Sequence, residues 1–180
     1  MADKKDTEQK PAAEKPAAPA AGEQQQNLPS LQMIAQYVKD ASFENPNAPE
    51  SLVSGWPAPN TEVKISISNK HIKDNVFESE VNFNVEARHA EDKSKVAFII
   101  DLHYGAMVAL ANIPQENIHP ILMVEVPKLL FPFMREMIAE MTSKGGYPPL
   151  YLAPVSFEQM YVEQMKLLKE KQDAQKAGNA

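Results

Sequence analysis

Residues 75–108, NVFESEVNFNVEARHAEDKSKVAFIIDLHYGAMV, hold two runs of alternating character on either side of a polar turn. Over 75–89, Phe77, Ser79, Val81, Phe83, Val85 and Ala87 fall on one face, with Val76 out of register ahead of them. Glu78, Glu80, Asn82, Asn84, Glu86 and Arg88 fall on the other. Successive side chains of a strand point to opposite sides, so this is the pattern of a half-buried strand. Ala90-Glu91-Asp92-Lys93 reads as a tight hairpin turn. Over 95–108, after Val96 and Ala97, the residues Phe98, Ile100, Leu102 and Tyr104 share one face, and Ile99, Asp101 and His103 share the other. Two such strands joined by few residues pair antiparallel.

Outward from this pair the pattern persists towards the N-terminus. Residues 63–69 alternate Val63, Ile65 and Ile67 with Lys64, Ser66 and Ser68. Residues 28–44 show an imperfect period of two, with Leu31, Met33, Ala35 and Tyr37 against Gln32, Gln36 and Val38. The three strands from residue 63 on, with short connections, predict a meandering antiparallel sheet. The loop between the first two, NPNAPESLVSGWPAPN over 45–60, is too rich in Pro and Asn for regular structure. Trp56 within it either plugs the loop onto the body or anchors a ligand.

Towards the C-terminus the period lengthens. Residues 112–144 contain Pro114, Pro120, Pro127 and Pro132. Leu129, Phe133, Met137 and Met141 recur every fourth position beside Leu130, Met134 and Ile138, which makes a wide helical face. Pro127 suits a first turn; Pro132 either kinks the helix or belongs to its opening. Lys144-Gly145-Gly146 is a helix stop. Residues 147–154, YPPLYLAP, form an extended connector. Ser156, with Gln159 three residues on, caps a second helix striped by Phe157, Met160, Tyr161, Met165 and Leu168. Strands followed by helices give an α+β domain over 28–170. Residues 1–27 hold seven Ala, three Pro and four Lys but no apolar run, and read as a disordered extension, either a solubilising tail or a docking arm. Residues 171–180 read as a flexible polar tail.

Composition narrows function. The 180 residues carry 18 Lys plus Arg against 24 Asp plus Glu, a net charge of −6, which opposes phosphate backbones and argues against nucleic acid as a partner. There is no Cys, hence no disulfide, thiolate nucleophile or Cys-based metal site. His71, His89, His103 and His119 show no metal-ligand spacing, and no phosphate-binding glycine loop, GxSxG or HExxH occurs. Asp40, Glu44 and Asp101 are acids without a catalytic constellation, so no catalytic residue, cofactor or metal is expected. No apolar run is long enough to enter a membrane. What remains is binding surface. The nine Met suit either an irregular core or a groove for varied apolar segments.

One run carries a family pattern. Tyr37-Val38-Lys39-Asp40-Ala41-Ser42-Phe43-Glu44-Asn45-Pro46-Asn47-Ala48-Pro49 resembles the YxKDxSFExPNAP signature of the SecB family, bacterial protein-export chaperones. Trp56-Pro57, Leu130-Phe131-Pro132-Phe133-Met134-Arg135-Glu136 and the run from Gly146 through Pro148, Leu150, Pro154 and Val155 to Phe157 resemble later family segments in order. The resemblance spans about residues 31–161. It implies a four-stranded antiparallel sheet followed by two helices, assembled as a homotetramer, a dimer of dimers, in the cytoplasm. It also implies ATP-independent binding of unfolded secretory precursor proteins and their delivery to the SecA motor ATPase, whose basic tail binds its own zinc. By matched position, Asp40, Glu44, Ile99 and Asp101 are expected to meet SecA. Leu52, Trp56 and Phe98 are expected near a client-binding groove, and Ile100, Leu102 and Tyr104 at an oligomer interface. His103-Tyr104-Gly105 departs from the family, which often has amide side chains there; the extension and residues 113–119 depart too. Other readings are a SecB-like chaperone dedicated to one partner such as an antitoxin, a small-molecule enzyme, and a purely structural oligomer.

Overall fold

The computed structural model describes residues 28–53 and 56–178, with side chains to residue 173. The extension read over 1–27 lies outside the described residues. Four strands form one antiparallel sheet: β1 (Ser30–Glu44), β2 (Asn60–Lys73), β3 (Val76–Arg88) and β4 (Val96–Ala111). A helical run follows, made of α1 (Gln115–Pro120), one wide turn over Ile121–Glu125, and α2 (Val126–Lys144); α3 (Phe157–Gly178) ends the chain. The class is α+β, as the patterning predicts.

The sheet order is β1-β4-β3-β2. β2, β3 and β4 form the expected meander, but β1 does not pair with β2. It crosses to the free edge of β4, with Leu31 opposite Leu110 and Glu44 opposite Ile99. The connection from 45 to 59 is long enough to make that crossing, and a hairpin-length link would not be. Two β-bulges, at Ile34 and Lys39, interrupt the β1–β4 register. Each inserts a residue without a partner and shifts which face the following side chains take. That is why the period over 28–44 is imperfect: Leu31 and Met33 face the core, whereas Tyr37 and Asp40 face away from it.

The core lies between one face of the sheet and α2. Val81, Phe83 and Val85 of β3 and Ile100, Leu102 and Val108 of β4 are fully buried there, against Leu130, Met134 and Ile138. The alternation of β3 is thus the alternation of its burial. Ile100, Leu102 and Tyr104 (7% exposed) therefore form intramolecular core. The interface expected of them is corrected for a simple reason: both faces of β4 are apolar in part, and α2 covers the one with even numbers.

Helix formation begins earlier than Pro127. Pro114 precedes α1, and Pro120 sits at the end of α1 before the wide turn. Pro127 opens α2 and Pro132 lies inside it. A proline removes one backbone donor, and a wide turn absorbs the missing bond without ending the helix. Of the two apolar stripes on α2, Leu130, Met134 and Ile138 are buried, while Leu129 and Phe133 are exposed. The helix stops where Lys144-Gly145-Gly146 predicts. The N–H groups of Gly145, Gly146 and Tyr147 donate to Met141, Ser143 and Thr142, and Gly146 takes φ 89°. Ser156 caps α3 by accepting from the Gln159 N–H at 3.3 Å. Phe157 is buried against Phe131 and Val155, but from Val162 to Asp173 every side chain of α3 is exposed. The helix continues to Gly178, through the segment read as a tail.

Candidate functional site

The sheet face turned away from α2 carries the acidic strip. Directly paired residues of neighbouring strands share a face. Asp40 is opposite His103, Ser42 opposite Asp101, and Glu44 opposite Ile99. On the other flank of β4, Glu80 is opposite Gly105, Asn84 opposite Asp101, and Glu86 opposite Ile99. All four residues expected to meet SecA, namely Asp40, Glu44, Ile99 and Asp101, are thus brought together across β1 and β4. The bulge at Lys39 is what sets Asp40 and Glu44 on this side.

The acids of this face fall into two groups. Glu78, Glu80 and Glu86 are engaged within the sheet. Lys39 reaches across β4 to Glu80 (2.6 Å) and Glu78 (3.1 Å), the Tyr37 hydroxyl donates to Glu78 (2.6 Å), and Arg88 pairs with Glu86. Hydrogen bonds with Glu80 and Glu78 push the Lys39 ammonium up to about 12. The Tyr37 and Lys39 bonds hold Glu78 below the usual glutamate range, and Lys39 does the same for Glu80. His103 lies between Glu80 (2.9 Å) and Asp101 (3.5 Å), and its bond with Glu80, aided by the charge on Asp101, raises its pKa. Asp40 and Glu44, by contrast, are exposed and have no cation within ion-pair distance among the described residues. They are the two carboxylates free to receive an incoming positive charge, with Ile99 as an apolar neighbour.

This Tyr37–Lys39–Glu78–Glu80–His103 network was not singled out by sequence reasoning. Its signal is there in the acids at alternate positions of β3, but the bulge that carries Lys39 onto this face leaves no mark in the alternation. Gly105 makes the network possible. A Cβ at that position would lie 2.9 Å from Tyr37 Cε2 and 3.3 Å from Lys39 Cδ, so its absence leaves room for both side chains to cross β4 in this arrangement.

The three residues expected near a client groove differ in exposure. Leu52, 42% exposed, lies over Gly146 at the end of α2. Trp56 is half-buried and meets the His89 ring edge-on at 4.8 Å, at the end of β3. Its Nε1 is buried without a hydrogen-bond partner among the described residues. The indole thus packs against the end of β3 with one unpaired donor. Phe98 is 4% exposed, between the rings of Phe43 (5.7 Å) and Tyr147 (4.9 Å), and is corrected from groove to core. Beneath the loop, the Tyr147 hydroxyl lies 2.7–2.9 Å from Ser51 Oγ, Asn45 Oδ1 and the Ala97 carbonyl, which ties loop, helix end and β4 together.

An open, partly apolar groove lies elsewhere. It lies between β2 and α3 and has a volume of about 350 Å³; Ile65, Ile67, Met123, Met160, Tyr161 and Leu167 give its apolar lining, and Ser66, Glu163 and Gln164 make the rest of it polar. No helix among the described residues is long and apolar enough to cross a membrane.

Comparison with known proteins agrees with this architecture. The SecB family, described as "Preprotein translocase subunit SecB", matches residues 24–167. The protein-export protein SecB of Rhodopseudomonas palustris (strain BisB5) is 45% identical over 138 residues, 77% of this chain and 85% of that protein. The one from Bradyrhizobium diazoefficiens is 44% identical over 77% of this chain and 84% of that protein. Among solved structures, a Mycobacterium tuberculosis SecB-like chaperone in complex with a ChAD peptide from the HigA1 antitoxin superposes with a TM-score of 0.58 at 13% identity. That match covers 70% of this chain and 91% of that one, a likeness of fold. With the signature over 37–49, the four-stranded sheet and relatives at this identity all in agreement, the chain belongs to the SecB family of protein-export chaperones.

Proposed function

We propose that this chain holds unfolded secretory precursor proteins in the cytoplasm without ATP, as a homotetramer, and delivers them to SecA through the face of β1 and β4. The observation that carries the docking half is the pair of unengaged carboxylates, Asp40 and Glu44, on one register line with Asp101 and Ile99. A basic tail segment meets complementary charge there. Such charge raises the encounter rate and selects the partner more than it adds affinity. Zinc belongs to the SecA tail in this scheme.

The holding half rests on apolar surface. A micromolar complex needs about −8 kcal/mol. Each buried Leu or Phe of a client contributes roughly 1.5–3 kcal/mol. Ordering the disordered segment costs about 2–5 kcal/mol. Several client side chains must therefore be buried at once. One groove of about 350 Å³ is small for that task, so a client wrapped across several copies of the β2–α3 groove fits the arithmetic better. The exposed Leu129 and Phe133 on α2 are among the apolar side chains available for joining copies. Relatives named for protein export favour an export role over service to a single antitoxin.

The test is light scattering on a sizing column, with the chain alone and mixed with a freshly diluted slow-folding precursor. The expected result is an assembly of about four chains that co-elutes with the unfolded precursor and not with the folded one. An assembly that ignores the unfolded precursor sinks the holding half.

A further inference from the structure

His103 stands at the centre of the acidic strip. Its own strand contributes Asp101, with Oδ2 at 3.5 Å from Nε2. β3 contributes Glu80, with Oε1 at 2.9 Å from Nδ1, and Glu78 beyond it. β1 contributes Asp40, its register partner, with Lys39 and Tyr37 tied to Glu80 and Glu78. These are the titratable and charged groups that face it. The imidazole is partly exposed, so protons and ligands reach it.

A neutral imidazole has one N–H and donates to one carboxylate only. A protonated one donates from both nitrogens, and Glu80 and Asp101 are placed to accept one bond each. Protonation thus occupies Asp101, one of the strip's acids, and sets a positive charge opposite Asp40, one of its two free carboxylates.

We propose that His103 makes the docking strip pH-responsive: its protonation weakens capture of a basic segment, and capture of a basic segment expels the proton. This rests on the docking role given above to Asp40 and Glu44. The raised pKa of His103 places the change above the ordinary histidine value, towards neutral pH. Linkage makes the effect reciprocal, so a bound cation must lower the pKa of His103 as much as the proton weakens the cation.

The experiment measures binding of an N-acetylated peptide of Lys, Arg and Leu to the full chain, by calorimetry, between about pH 8 and about pH 6, a range in which Lys and Arg do not titrate. Four proteins are compared: the unaltered chain, His103→Gln, Asp40→Asn/Glu44→Gln, and all three changes together. Glutamine keeps a donor for Glu80 without a charge. The expected result is that affinity of the unaltered chain falls about five-fold towards low pH, that His103→Gln binds with a flat profile, and that the His103 resonance titrates at lower pH when the peptide is bound. Equal pH slopes for the unaltered chain and His103→Gln overturn the role of His103 while leaving docking intact. Binding that does not respond to Asp40→Asn/Glu44→Gln overturns the docking reading itself, and the pH inference with it.

Discussion

Gly105 and Tyr37 show how a single atom organises the outer face. The ring of Tyr37 lies across Gly105 on its way to Glu78, two strands distant. In Gly105→Ala the new Cβ meets the ring at 2.9 Å, so the ring must move and its bond to Glu78 is lost. The expected destabilisation is about 1–3 kcal/mol, read as a lower urea midpoint. In a Tyr37→Ala background the same change costs less, and a double-mutant cycle separates the clash from the backbone effect. If the two costs are equal, Tyr37 is not what excludes the Cβ. The neighbouring ionisable groups set a pH window. Glu78 and Glu80 titrate low in the fold, so their contribution is present above the ordinary glutamate pKa and is lost as pH falls through the depressed values. His103 titrates high, so its contribution is present below the ordinary histidine pKa and is lost as pH rises through the raised one. Thermal stability is expected to be greatest between these limits. In Glu80→Gln both slopes shrink; an unchanged profile means that the network carries no such linkage.

At the scale of elements, what could be read from the sequence depended on whether burial alternated. β3 has one face in the core and one outside it, so its pattern, its length and its turn towards β4 are legible. β1 is harder, because bulges at Ile34 and Lys39 reset its faces, and nothing in residues 45–59 says which edge the strand joins. The two faces of β4 both carry apolar side chains. The helix-covered one, with Ile100, Leu102 and Tyr104, cannot be told from an intersubunit one until α2 is in place. Asp40 and Glu44 stood out as candidates because they lie in a contiguous motif, and only the β1–β4 register sets Ile99 and Asp101 on the same face. Leu52, Trp56 and Phe98 share no such register line, and Phe98 is buried in the core. α2 offered two stripes with the same period, and only packing decides between them. That choice is testable: Met134→Ala removes a fully buried side chain and is expected to cost about 2–5 kcal/mol. Phe133→Ala changes an exposed ring, and is expected to leave the isolated fold within about 0.5 kcal/mol while lowering the assembled mass on a sizing column. Equal loss of stability in both variants contradicts the assignment of the buried stripe.

In the whole molecule the two surfaces lie on opposite sides of one sheet. The acidic strip is on the face that α2 does not cover, and the β2–α3 groove opens on the core side through Ile65 and Ile67, which pack against Val124 and Phe157. A sheet separates them and no side chain serves both, so client holding and partner docking are expected to be separable by substitution. Leu167 is 57% exposed, so Leu167→Asp places a charge in the groove without disturbing the core. It is expected to weaken co-elution with unfolded precursor by about ten-fold, the effect of about 1.4 kcal/mol, and to leave SecA binding unchanged. Asp40→Ala/Glu44→Ala is expected to do the reverse, because removing exposed charges alters a docking rim and not an apolar groove. The two measurements, precursor capture by light scattering and SecA binding by calorimetry, are made on both variants after each is shown to melt like the unaltered chain. Four values result. If Leu167→Asp lowers SecA binding as much as precursor capture, the two faces are coupled through the sheet. If the acidic variant loses precursor capture instead, the strip is a client surface, and the unpaired carboxylates select basic segments of the precursor itself.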